Sequence, residues 1–151
     1  MPYLPSLPEK ATLLDVFRRF PASSRPLLHY HEALMRGPSP FTEGERELIA
    51  AVLTDPLGAR ESAELRPVLA YVEKLTRDPD GVDAADAEAV RAAGWPEEAI
   101  FDAVSICALY NLMDRLVNGL GIAADAAYFE AAAKRLSTGG YAAMAEALPQ
   151  D

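Results

Sequence analysis

The sequence predicts an all-α fold, a single helical domain over residues 1–151 with about seven or eight helices. Three observations carry this. Apolar residues recur at helical spacing along nearly the whole chain. Proline, glycine, aspartate and threonine punctuate the apolar stretches where helices start and stop. No stretch alternates apolar and polar residues as a half-buried strand does.

Taken in order, prolines at 2, 5 and 8 predict an extended N-terminal arm over residues 1–10. Leu13, Leu14, Val16 and Phe17 form a short first helix. Leu27, Leu28, His31, Leu34 and Met35 form a second, closed by Arg36-Gly37-Pro38. The third opens on a capping box, Thr42 with Glu45, and carries Leu48, Ile49, Val52 and Leu53. Asp55-Pro56-Leu57-Gly58 has the chemistry of a type I turn and ends that helix near Thr54. The fourth carries Leu65, Val68, Leu69, Val72 and Leu75, with Pro67 admissible in its first turn.

Asp78-Pro79-Asp80-Gly81 is the next break. Asp83 caps a small helix to Ala92, stopped by Gly94. Pro96, Glu97 and Glu98 then open the longest helix, the acids facing its positive end. It runs to Gly119 or Gly121, either of which can take a left-handed cap. Ala126–Leu136 and Tyr141–Leu148 read as two final helices.

Half of the 151 residues are hydrophobic, enough for one substantial core. A net charge of −9, with no basic run beyond Arg18-Arg19, argues against nucleic acid or an anionic membrane as partner. The start MPYLPSLPEK is not a secretory signal. The most apolar window, residues 99–117, is interrupted by Asp102, Asn111, Asp114 and Arg115 and is too polar to span a bilayer. One cysteine, Cys107, excludes an internal disulfide framework and a cysteine-based zinc site. The expected setting is a reducing cytoplasm, with no cofactor.

Four groups of residues are candidates for chemistry. Cys107 lies well inside its helix among apolar neighbours, far from the positive end that activates a thiol, so core packing is expected. His29 and His31 stand two apart, hence on different sides of a helix. His31 shares the Leu27, Leu34 and Met35 face as an interior or interface histidine, and no metal site is expected. Asn111, Asp114, Arg115 and Asn118 fall on one face of the longest helix and predict a hydrogen-bonded polar seam, within the fold or between subunits. Glu47, beside Glu43 and Arg46, reads as a surface acid.

Three segments together resemble the AhpD-like, peroxidase-related branch of the carboxymuconolactone decarboxylase superfamily. They are HEALMRGPSPFTEGERELIAA, LAYVEKLTRDPDGVDAADAEAVRAAGWPEEAIFDAV and CALYNLMDRLVNGLGI, spanning residues 31–123. The most specific phrases are EKLT-x-x-P, ending at Pro79, and N-x-x-D-R-x-x-N-G-L-G from Asn111, where the branch commonly has Asn in place of Asp114. The resemblance implies an all-helical, oligomeric protein whose helices pack between subunits.

Peroxidase members of that family carry Glu, eleven residues, then Cys-x-x-Cys-x-x-x-His, a cysteine pair served by a proton relay. Carried over residue by residue, Glu47 takes the place of the relay Glu. In one register Ala59 and Ser62 then stand at the cysteine positions and Arg66 at the histidine. A second alignment fits better: residues 65–82 already resemble the segment that follows the cysteine helix, so that helix is deleted and the chain is shortened over Asp55–Arg66. The resemblance then implies a degenerate active site, with Glu47 a relic of the relay, in a homo-oligomeric scaffold or binding protein of unspecified ligand. The alternatives are an antioxidant peroxidase, working through Cys107 with an external thiol or through a motif segment outside this sequence, and thiol-free acid–base chemistry of the decarboxylase or lactone type through Glu47, His29, His31 and Arg115.

Overall fold

The protein is all-α. Its structure, a computed structural model, describes residues 2–54, 63–122 and 126–150, the side chains of 53, 54, 126–130, 135 and 137 excepted. The expected turn Asp55-Pro56-Leu57-Gly58 and the positions Ala59 and Ser62 lie outside the described residues. The elements are α1 (Leu13–Arg19), α2 (Pro21–Arg36), α3 (Glu43–Thr54), α4 (Arg66–Arg77), a 3-10 turn (Pro79–Gly81), α5 (Ala84–Ala92), α6 (Glu97–Gly119) and α7 (Ala126–Glu146). No strand occurs among the described residues.

Local chemistry accounts for most boundaries. Three capping boxes open helices: Thr12 with Asp15, Thr42 with Glu45, and Asp83 with Asp86. Gly94 and Gly121 take φ of 94° and 62° just beyond α5 and α6, where a side chain would be strained. α2 begins earlier than its apolar pattern, because Pro21 fits the first helical position. The two helices expected at the C-terminus form one element, α7, broken at Gly140 (φ 64°, ψ −168°).

The contacts divide the chain into two compact units, one of Met1–Ala33 with Met113–Asp151, the other of Leu34–Leu112. In the first, Leu7, Ala11, Val16 and Ile122 form a small core, joined by Leu4, Leu13, Val117 and Leu120. The N-terminal residues therefore differ from the extended arm expected. Pro5 stands second in a turn closed by Leu7 N–H to the Leu4 carbonyl, which brings Leu7 into the core. In the second unit α4 packs on α3 and α5. Ile49, Leu65, Val68, Val72, Ile106, Val90 and Ala99 are all within 1% of full burial there.

Two caps make the fold acid-sensitive. The Thr12 amide holds the Asp15 carboxyl below its ordinary 3.8, and the Lys74 ammonium, 2.6 Å away, does the same for Asp86 with help from the Asp83 amide. A folded-state value below the unfolded one means stability that is present above pH 3.8 and lost as pH falls through the lower, folded value. Urea titrations at stepped pH should show stability falling below that point. The fall should be shallower in Asp15→Asn and Asp86→Asn, whose neutral amides do not titrate.

Candidate functional site

Cys107 sits midway along α6 with 2% of its surface exposed. Its surroundings are more polar than its sequence neighbours suggest. The Thr76 hydroxyl of α4 lies 3.2 Å from the sulfur, and the thiol reaches the Val72 carbonyl at 3.7 Å. Asn111 Nδ2, one turn along α6, donates to Thr76 Oγ1 at 3.2 Å and to the Cys107 carbonyl at 3.0 Å. The directions are consistent: with its oxygen accepting from Asn111, the Thr76 hydroxyl can give its proton to sulfur, and the thiol gives its own to Val72. The chain of donors thus ties α6 to α4 through one thiol. Sequence reasoning missed Thr76. The available signal was its place four residues after buried Val72, which continues the inner face of α4.

The remaining candidates are scattered. Asp114, Arg115 and Asn118 are exposed along α6, whereas Asn111 is half-buried in the cluster just described. Glu47 is exposed on α3, and its neighbour Arg46 is buried instead, donating to the carbonyls of Leu34 (3.0 Å) and Gly37 (2.8 Å). Arg66, the position matched to the family histidine, is exposed at the start of α4. His29 is exposed and His31 buried, as their spacing on α2 requires. The His31 ring stacks on Tyr141, with centroids 3.6 Å apart. Next to it, Glu32 accepts from the amides of Tyr141 (2.6 Å) and Ala142 (3.3 Å), while Arg25 donates to the Ala145 carbonyl at 2.6 Å. One face of α2 thereby holds both ends of the segment after Gly140. Among the described residues no group of three His, Cys, Asp or Glu side chains could hold a metal ion, and no helix is long and apolar enough to cross a membrane.

Two solved structures share this architecture. One is an uncharacterized peroxidase-related protein from Silicibacter sp. TM1040, with a TM-score of 0.70 and 20% identity over 77% of each chain. The other, from Ralstonia eutropha JMP134, is described as an alkylhydroperoxidase AhpD core and an uncharacterized peroxidase-related protein. It aligns with a TM-score of 0.65 and 26% identity over 76% of each chain. The fold is AhpD-like. Neither a protein-family model nor a curated protein sequence matches the chain. Within this AhpD-like fold, the Thr76–Cys107–Asn111 cluster is the one place where the protein's single thiol could act.

Proposed function

We propose that this AhpD-like protein is an oligomeric scaffold or binding protein that has lost disulfide-cycling chemistry, and that Glu47 is a relic of the proton relay. One observation carries the reading: the only thiol is a buried structural donor, hydrogen-bonded to a backbone carbonyl in the middle of a helix. Disulfide cycling needs two sulfurs and an accessible thiolate to attack peroxide. Cys107 has no cysteine partner in this sequence and is covered on all sides.

Thiol titration tests the proposal. A chromogenic disulfide should label the native protein about 100-fold more slowly than the urea-unfolded chain, because a buried sulfur reacts only through local opening. Hydroperoxide consumption with an external thiol should be the same for wild type and Cys107→Ser. Light scattering at micromolar concentration should give a dimer or a larger species. Fast labelling near neutral pH, with peroxide turnover that Cys107→Ser abolishes, would instead make the protein a one-cysteine peroxidase. A second reading has an observation behind it only there: Thr76 and Asn111 place donors within 3.5 Å of the sulfur.

A further inference from the structure

Where α7 breaks at Gly140, a pocket of about 230 Å³ opens between that helix and α1. Its walls are two rows of side chains. On α1, Leu14 is half-buried, and Arg18, one turn further along the same face, is exposed. Opposite them Met144 and Leu148 form an apolar pair four residues apart. The amides of Ala147 and Leu148 carry the last turn of α7 past Glu146 and so complete this wall. The space exists because other positions in the lining, Gly139, Ala143 and Ala147, are small. A carbon added to Gly139 would already stand 2.8 Å from the Ala143 methyl group.

The polar groups of the pocket are few and unequal. The Thr138 hydroxyl donates to the Lys134 carbonyl at 3.0 Å. Among the described residues, Arg18 is the one charged side chain in the lining and makes no hydrogen bond or ion pair. The nearby acid on α1, Asp15, is already engaged, one of its oxygens accepting from both the amide and the hydroxyl of Thr12. An apolar pocket with one guanidinium at its edge complements an amphiphile with a single anionic head. Guanidinium and carboxylate match through two parallel hydrogen bonds, and the apolar wall beside them lowers the local dielectric and strengthens both. The volume lies below the ~300–1,000 Å³ of sites for drug-sized ligands, so the tail must be short.

We propose that this pocket binds a free aliphatic monocarboxylate of short to medium chain length, its tail between Leu14 and Met144 and its carboxylate on Arg18. The inference adds a ligand to the binding reading above. It involves no residue of the Cys107 cluster, so the thiol titration and the ligand test can fail separately.

Titration with octanoate, read by calorimetry and by ligand NMR, tests it. Wild type should bind one equivalent with a dissociation constant of about 0.1–1 mM, ordinary for a ligand of this size. Hexanoate should bind about 15-fold more weakly, since each of the two missing methylenes contributes about fourfold when buried. Arg18→Gln should weaken octanoate about tenfold and leave 1-octanol unchanged, with Arg18→Lys between wild type and Gln. Ala143→Phe, which fills the pocket, should abolish binding of the acid and the alcohol alike. Circular dichroism and urea midpoints establish that each variant is folded, and the Arg18 pair decides the matter if Ala143→Phe is not. Absence of octanoate binding at millimolar concentration overturns the proposal. So does binding that Arg18→Gln leaves intact, which makes the pocket indifferent to charge, or binding that Ala143→Phe leaves intact, which puts the ligand elsewhere.

Discussion

Gly140→Ala is expected to destabilise the protein by roughly 2.5–6 kcal/mol, through two coupled losses. The first is conformational. At φ 64° and ψ −168° Gly140 occupies a region open essentially to glycine alone, and a side chain there costs about 1–3 kcal/mol. The second involves Glu32. A methyl group on Gly140 would stand 2.5 Å from Glu32 Oε2, the oxygen that accepts from the Tyr141 and Ala142 amides. The Glu32 side chain can swing aside, but only by giving up that charge-assisted cap, worth about 1.5–3 kcal/mol. Urea unfolding of four chains resolves the two parts: wild type, Gly140→Ala, Glu32→Ala and the double variant. With Glu32 already truncated, Gly140→Ala should cost only its backbone share, so the double variant falls short of the sum. Gly94→Ala is the comparison. Its φ of 94° is strained but nothing lies within 4 Å of the added carbon, and its cost should stay near the backbone share alone, about 1–2 kcal/mol. Strict additivity of the Gly140 and Glu32 changes would disprove the coupling.

The same residues show which parts of the molecule were readable in advance. Helix ends follow from side chains two or three positions away, and so Thr42 with Glu45, Asp83, Gly94 and Gly121 were legible in the sequence and stand where local chemistry puts them. The spaced phrases from Glu73 and from Asn111 pointed to the AhpD-like fold that the two solved structures share. Interactions between distant segments left no such mark. Glu32 meets Tyr141 across 109 residues, and Thr76 meets Cys107 across 31. Periodicity places each on a helix face and is silent about what that face touches. In the stretch ERELIAA, the charge pattern reads Glu47 as a surface acid, and only the family resemblance singles it out. Burial singles out Arg46, one residue earlier and 3% exposed.

That exchange of roles bears on function. The Arg46 guanidinium serves the backbone, holding the carbonyls of Leu34 and Gly37, while Glu47 stands exposed beside it. The Cys107 cluster follows the same pattern: each polar group in it ends on a partner inside the fold. On α6 the large apolar side chains left exposed are Phe101 and Leu112.

Arg46→Met should be the second most damaging single change, at about 2–4 kcal/mol. The reason lies at the end of α2. In a continuing helix the Leu34 carbonyl would accept from the amide four residues on, but that residue is Pro38, which has none. Just past the helix end, the Gly37 carbonyl is part-buried as well. Arg46, reaching over from the first turn of α3, donates one nitrogen to both oxygens at 3.0 and 2.8 Å. Methionine preserves much of the volume and removes both hydrogen bonds, leaving one buried and one part-buried carbonyl without the partner that replaces water. Lysine keeps the charge on a slimmer, single-point donor and should fall between wild type and methionine. A further variant isolates the cause. Pro38→Ala restores an amide at the position the helix lacks, so in the Arg46→Met background it should recover about 1 kcal/mol. In wild type, where the guanidinium already satisfies the carbonyl, the same change should be close to neutral. Thermal and urea unfolding of these variants reads both effects. A loss below about 1 kcal/mol for Arg46→Met would show that α2 ends without the guanidinium's help, because the buried Leu34 carbonyl cannot lose its donor at so small a cost.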